Sequence, residues 1–136
     1  VAVTNAKDAE RKDHEMGRKS TVPYGLYRLH GFVSAPLAKD TGFDSDDLEL
    51  IWESCARMFD HDRSAARGEM TTRALAVFEH ESALGERPAH ECFARVRVTQ
   101  TASVPRDYAD FDVTLDGRPF LEVSEGRVVC RARATP

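Results

Sequence analysis

The stretch DSDDLELIWESCARMF, residues 44–59, decides the fold class of this chain. Its apolar side chains recur at intervals of three and four residues, which is the spacing of one helix face. Asp44 or Ser45 is the expected N-cap, and the acidic residues of the first turn suit the positive end of the helix dipole. This apolar stripe needs a sheet to cover it. It consists of Leu48, Ile51, Trp52, Cys55, Met58 and Phe59.

Strand-like patterns stand on both sides of this helix. TVPYGLYRLHGFVSA, residues 21–35, alternates with the period of a strand. One face of that strand would carry Tyr24, Leu26, Arg28, His30 and Phe32. MTTRALAVFEHES, residues 70–82, has apolar residues on both faces, which is typical of a central strand. RVRVTQT, residues 95–101, predicts a further strand.

Short elements complete the pattern. RPAHECFARV, residues 87–96, predicts a short helix that begins near Pro88. Asp116-Gly117 predicts a two-residue hairpin turn, and Glu125-Gly126 suggests a second one. This order indicates the α+β class, with a mainly antiparallel sheet and one main packed helix. A ferredoxin-like or RRM-like sheet fits it.

The composition is that of an ordinary globular domain. A length of 136 residues predicts one domain, and 41% hydrophobic and 31% charged residues argue against wholesale disorder. No apolar run predicts a membrane span or a signal peptide, so the cytoplasm is expected. The three cysteines are far apart, which indicates buried, reduced thiols. A net charge of −4 counts mildly against binding nucleic acid by bulk electrostatics, but it permits local basic patches.

The first residues read as the continuation of a strand. The chain begins VAVTNAKDAE without Met, and Val1–Thr4 resemble the tail of a β-strand. Either the initiator was removed or the chain is a piece of a longer protein. KDAERKDHEMGRK, residues 7–19, is dense in both charge signs and lacks an apolar stripe, which predicts a solvated loop or a frayed helix.

No motif in the sequence predicts catalysis. Nucleophile elbows, glycine-rich phosphate loops and paired metal-binding histidines are missing from it. Asp60-His61-Asp62 contains a His-Asp dipeptide of the kind found in metal phosphohydrolases, but a polar helix end explains it better. We therefore expect no enzyme activity, no metal and no cofactor.

HDRSAARGEM, residues 61–70, is the candidate anion-binding stretch. If the helix runs on to Arg67, Arg63 and Arg67 share a face, and Gly68 ends the helix. With Ser64 and the later Arg73, these guanidinium groups could hold two phosphates. The alternative is that the arginines pair with neighbouring acidic side chains, and composition alone favours it. Those side chains are Asp60, Asp62 and Glu69.

Several long stretches together resemble one family. They are VPYGLYRLHGFVSAPLAKDTGF, DDLELIWE, MFDHDRSAARGEMTTRALAVFEHESALGERPAHECFARV and PRDYADFDVTL. The chain is similar to the type I-C members of the Cas-seven family of CRISPR-associated proteins. These RAMP-type, RRM-like proteins are the repeated backbone subunit of the Cascade surveillance complex. The resemblance runs from Val1 to about Leu115, and we assign no family role to residues 116–136.

The resemblance implies a fold and a role. Family members look like a right hand, with a modified RRM palm and a β-hairpin thumb. Copies polymerise along the CRISPR RNA (crRNA), hold its backbone without reading sequence, and display it for pairing with target DNA. They begin with an RRM-like strand and an N-G-N-P-N-G-D-type segment, neither of which this chain contains. Residues 1–136 are thus expected to form a single domain, the C-terminal portion of a larger palm, with residues 1–23 as a thumb-like hairpin and charged loop.

The resemblance also implies RNA-contacting residues. The best phosphate contacts are the side chains of the anion-binding stretch and the arginine that follows it. Further basic residues of the thumb and of the strand after it would face nucleic acid or the next subunit. The full set is Arg18, Lys19, Arg28, His30, Arg63, Ser64, Arg67 and Arg73. The implied partners are crRNA, target DNA through the crRNA, further copies of the subunit and other Cascade subunits, without a membrane.

Two other functions remain open at the level of sequence. A small α+β protein-interaction module, whose arginines only pair internally, would have the same mixed-sign charge in Lys7–Lys19. A metal-dependent nuclease built on Asp60-His61-Asp62 is a more distant alternative.

Overall fold

The fold combines four short α-helices with two small β-sheets in the part of the chain that the computed structural model describes, residues 22–63 and 68–135. The helices are α1 (Ala35–Thr41), α2 (Ser45–Arg57), α3 (Ala89–Ala94) and α4 (Phe120–Val123). The strands are β1 (Leu75–Glu79), β2 (Val96–Gln100), β3 (Phe111–Leu115), β4 (Arg118–Pro119) and β5 (Val129–Arg133). A 3₁₀ turn spans Tyr108–Asp110. The predicted α+β class is confirmed.

Helix α2 forms where the sequence predicts the main helix, and its start is closed by a capping box. The Asp44 carboxylate accepts hydrogen bonds from the backbone N–H groups of Asp46 and Asp47, at 2.9 and 3.1 Å. The Asp47 carboxylate in turn accepts from the Asp44 N–H at 3.2 Å. The helix ends at Arg57, so Arg63 lies outside it and the condition that the helix runs on through this stretch is not met. The predicted helix end at Gly68 is wrong for the same reason.

The apolar stripe of α2 is only partly covered. Leu48, Trp52 and Cys55 are half-buried, whereas Ile51 and Met58 are exposed. Two contacts join the helix to the strand region. The Thr72 hydroxyl donates to the Cys55 carbonyl at 2.9 Å, and Arg131 of β5 pairs with Glu49. The predicted face is therefore the better buried one, although no residue of α2 is fully buried.

The two sheets differ in strand direction. β1 and β5 run parallel, from the pair Leu75 and Val129 to the pair Glu79 and Arg133. β2, β3 and β4 form an antiparallel sheet in that order. Antiparallel pairs are thus in the majority, as predicted, but the parallel pair was not foreseen. The central position expected for β1 is not seen in the described sheet, where its ladder partner is β5 alone.

The core lies between these two sheets. Leu115 at the end of β3, Phe120 at the start of α4 and Cys130 in β5 form its buried cluster. Side chains from both sheets pack against it, among them Phe78 of β1 and Val113 of β3. Cys92 and Cys130 are buried free thiols, as predicted, whereas Cys55 is only half-buried.

The two predicted turns have different outcomes. Asp116 and Gly117 both have positive φ, 53° and 78°, and connect β3 to β4, which confirms the predicted hairpin. Glu125 and Gly126 also have positive φ, 55° and 75°. They follow α4, however, and lead into β5, which pairs with β1. The second hairpin is therefore wrong, because the same turn residues here end a helix instead.

The strand predicted over residues 21–35 is also wrong in its described part. Residues 22–34 are extended but belong to no sheet of the described chain, and α1 begins at Ala35. Ser34 caps α1, Pro36 lies in its first turn and Gly42 ends it with φ 75°. The expected strand at Val1–Thr4 and the loop at Lys7–Lys19 lie outside the described residues, as does all of the expected thumb before Val22.

Candidate nucleic-acid interface

Arg28 and His30 lie on the extended segment before α1 and converge on Phe93 of α3. The Arg28 guanidinium donates a hydrogen bond to the Phe93 carbonyl at 2.5 Å. The His30 ring lies parallel to the Phe93 ring, with centroids 4.0 Å apart and an interplanar angle of 9°. Both predicted residues are exposed, so these contacts form at the surface.

The alternation predicted for this segment survives without a strand. Phe32 meets the edge of the Phe93 ring, with centroids 5.4 Å apart, and Tyr24 contacts Phe111 of β3 at 6.0 Å. Together with Arg28 and His30, these residues form one face, as the period of two predicts. On the other face, Tyr27 and Leu29 are exposed at 78% and 82%. The sequence therefore predicted which residues share a face, but not that this face contacts the body of the protein.

Arg73 lies immediately before β1 and covers an aromatic ring. Its guanidinium carbon is 4.2 Å from the centroid of the Tyr108 ring, which is a cation–π geometry. Burial raises the pKa of the Tyr108 phenol above its usual range, and the positive charge of Arg73 offsets part of that rise. Arg73 remains exposed, so its N–H groups are accessible to an anion.

Arg63 borders an open pocket of about 180 Å³ behind the end of α2. The pocket is also lined by Asp60, Glu69 and Thr71. No ion pair joins Arg63 to a carboxylate in the described part of the chain. The alternative, in which the arginines of this stretch pair with Asp60, Asp62 and Glu69, also concerns Arg67, which lies outside the described residues, so it stays open. The pocket nevertheless carries both charge signs, because Asp60 and Glu69 stand beside the guanidinium.

The remaining predicted contacts cannot be placed. Arg18, Lys19, Ser64 and Arg67 lie outside the described residues. The described ones do not share a single pocket: Arg28 and His30 meet at Phe93, Arg73 lies on Tyr108, and Arg63 borders its own cavity. Their role in binding RNA stays a prediction.

Most other arginines in the described ranges are held by carboxylates. These pairs are Arg57–Glu53, Arg87–Glu91, Arg95–Asp116, Arg118–Glu122, Arg127–Glu125, Arg131–Glu49 and Arg133–Glu81. Arg28, Arg63 and Arg73 have no such pair within residues 22–63 and 68–135. A guanidinium that is not held by a carboxylate keeps its N–H donors available to a phosphate and has no competing anion bound to it. The structure thus separates seven described arginines that close internal pairs from five that do not, because Arg97 and Arg106 have no such pair either.

Phe93 and Tyr108 are the residues that the sequence did not identify. Phe93 was assigned only to a short helix, and Tyr108 to a loop. Their partners, His30 and Arg73, are far from them in the chain, so no local spacing joins them. The sequence feature that could have indicated such contacts is the face of aromatic and basic side chains in residues 24–32, since such a face needs a surface to pack against.

Two further features bear on the class of function. Within the part that the structure describes, no helix is long and apolar enough to cross a membrane. No group of three or more His, Cys, Asp or Glu side chains there could hold a metal ion. The expectations that the chain has no metal and is not an enzyme stay predictions.

A comparison with protein families gives one match. The family described as CRISPR-associated protein Cas7 matches residues 1–116. No curated protein matches the chain. The match includes the extended segment, α2, the candidate anion-binding stretch, Phe93 and Tyr108, and it stops at the turn between β3 and β4.

Proposed function

We propose that this chain, which belongs to the Cas7 family of CRISPR-associated proteins, is a non-catalytic backbone subunit of Cascade that binds crRNA through its phosphates. In this role the protein holds the RNA without reading its sequence, and base pairing with the RNA selects the target DNA. Sequence-blind binding needs phosphate contacts and little contact with base edges, which suits arginine side chains. Neither catalysis nor a cofactor has a part in this role.

The finer assignment extends the same proposal. By resemblance, the chain is a type I-C member and corresponds to the C-terminal portion of the family, with residues 1–23 as the thumb. It would assemble in the cytoplasm with further copies of itself and with other Cascade subunits. Its net charge of −4 is compatible with this role if basic residues line the RNA groove and acidic ones face neighbouring subunits.

One observation carries the proposal. Arg28, Arg63 and Arg73 are exposed and have no carboxylate partner in residues 22–63 and 68–135, whereas seven of the twelve arginines there are paired. Arg97 and Arg106 share this property, but the sequence did not place them among the RNA contacts. Exposed guanidinium groups without a carboxylate favour an external anion. Membership of the Cas7 family supports the phosphates of crRNA as that anion.

The proposal is tested by fluorescence anisotropy with labelled single-stranded RNAs of two unrelated sequences at several salt concentrations. Arg63→Ala and Arg73→Ala should weaken binding to both RNAs equally, and each should reduce the slope of log affinity against log salt by about 1. Arg57→Ala, which removes an arginine already paired with Glu53, is the matched control and should change little. If Arg63→Ala or Arg73→Ala lost affinity for only one of the two RNA sequences, the proposal would be wrong.

The protein-interaction module is a second candidate, favoured by exposed apolar side chains. Leu84, Leu29 and Tyr27 are exposed at 90%, 82% and 78%, which suits contact with another protein. Under this function, RNA affinity is negligible at every salt concentration. The same anisotropy titration therefore separates the two candidates.

A further inference from the structure

The stacked rings of His30 and Phe93 are placed unusually for a packing contact. The buried cluster, Leu115, Phe120 and Cys130, includes neither ring, and neither ring is among the side chains packed against it. His30 is exposed, and Phe32, which meets the edge of the same Phe93 ring, is exposed at 75%. An aromatic group that only stabilised the fold would be expected to bury more of its surface.

The geometry leaves one ring face open. Phe93 lies parallel to His30 at 4.0 Å and meets Phe32 edge-on at 5.4 Å. No other ring contact involves His30 in the part of the chain that the structure describes. The face of the imidazole that points away from Phe93 can therefore receive a further planar ring.

A positively charged group stands beside this stack. Arg28 is two residues before His30 and is fastened to the same residue of α3, because its guanidinium donates to the Phe93 carbonyl. That bond uses one of the five N–H donors of the side chain, so others remain for an anion. An aromatic platform next to a fixed cation is the arrangement by which proteins hold single-stranded nucleic acid.

We propose that His30, supported by Phe93 and flanked by Arg28, is a stacking site for one unpaired nucleobase of RNA. This inference rests on the proposed function and adds to it a contact with a base plane, which phosphate binding does not require. The contact is independent of sequence, because every base has a π face. Stacking on one aromatic side chain changes affinity by about 5- to 150-fold.

The test compares two oligonucleotides that carry the same phosphates. One is a labelled single-stranded oligouridine, and the other is an abasic RNA of the same length. The full chain should bind the oligouridine more tightly, by about 5-fold or more.

His30→Ala should reduce this preference by about 5-fold or more. His30→Phe should keep the preference, because the substituted ring still stacks. His90→Ala, which removes an exposed histidine of α3 that takes part in no ring contact among the described residues, is the matched control and should behave as the unaltered chain.

The outcomes distinguish this inference from the function on which it rests. Salt-dependent binding with equal affinity for both oligonucleotides would overturn the stacking site and leave phosphate binding intact. Failure to bind either one would overturn both. Equal loss of affinity for both oligonucleotides in His30→Ala would assign His30 to the fold or to phosphate contact, and would also overturn the inference. The melting temperature of each variant identifies a loss that comes from unfolding.

Discussion

At the scale of single residues, Arg95 connects more of the molecule than any candidate binding residue. Its guanidinium forms two hydrogen bonds of 2.8 Å with the Asp116 carboxylate, in the turn between β3 and β4. It also donates to the carbonyls of Arg133 and Ala134, at 2.6 and 3.1 Å, and lies 5.0 Å from the centroid of the Phe78 ring. This one side chain thus joins the two sheets.

Replacing Arg95 should therefore destabilise the fold. Arg95→Ala leaves the Asp116 carboxylate and two backbone carbonyls without their donor, and a lost hydrogen bond to a charged group costs about 1.5–3 kcal/mol. We expect the free energy of unfolding to fall by about 2–3 kcal/mol in urea denaturation. Arg118→Ala, which removes an exposed arginine paired only with Glu122, should stay within about 0.5 kcal/mol of the unaltered chain. Equal effects of the two substitutions would contradict this account of Arg95.

The same pair predicts a dependence on pH. The hydrogen bonds from Arg95 hold the pKa of the Asp116 carboxyl below its usual range. Because the folded state lowers this pKa, the contribution of Asp116 is present above the unfolded value of about 3.9 and is lost as the pH falls through the lower, folded value. Asp116→Asn should therefore be less stable than the unaltered chain at about pH 6, and the gap should close towards about pH 3. Urea unfolding over that range measures it, and a gap independent of pH would contradict it.

At the scale of elements, the sequence predicted what is local and missed what is distant. Helix α2 was predictable because its cap, Asp44, and its apolar period lie within one short stretch. Alternation in residues 22–34 correctly grouped the residues that share a face, but it does not name a ladder partner, and the structure provides none in its described sheets. The parallel pairing of Leu75 with Val129 joins residues that are far apart in the chain, so no local pattern could reveal it.

The candidate site follows the same rule. Arg28, His30, Arg63 and Arg73 were singled out because basic residues near a helix end or on an alternating face are visible in the sequence. Their aromatic partners, Phe93 and Tyr108, depend on the tertiary fold. The sequence thus identified the basic side chain of each contact but not the aromatic ring that it packs against.

Helix α2 should depend strongly on its cap, because it has no fully buried residue. Asp44→Ala removes the acceptor for the N–H groups of Asp46 and Asp47, and such a loss costs about 1 kcal/mol. We expect faster hydrogen exchange in the amides of α2 and little change in those of β3. Ser54→Ala, on an exposed position within the same helix, is the control and should not accelerate exchange. Unchanged exchange in Asp44→Ala would mean that tertiary contacts, and not the cap, hold this helix.

At the scale of the whole molecule, the residues beyond the family match complete the fold. The match ends at residue 116, yet Phe120 of α4 and Cys130 of β5 are two of the three residues of the buried cluster. β5 also supplies the described ladder partner of β1. The resemblance assigns these residues no family role, but in the structure they belong to the same core as Leu115.

The core function of this segment can be measured with two adjacent substitutions. Phe120 is exposed at 1%, and its neighbour Leu121 at 55%. Phe120→Ala opens a cavity beside Leu115 and Cys130, so the free energy of unfolding should fall by about 3–5 kcal/mol. Leu121→Ala removes a side chain of similar character from a position that solvent reaches, and should cost less than about 1 kcal/mol. Because Phe120 is fully buried and is not one of the proposed RNA contacts, the folded fraction of Phe120→Ala should retain the RNA affinity of the unaltered chain. If both substitutions lowered the free energy of unfolding by similar small amounts, residues 117–136 would not be part of the core of the matched domain.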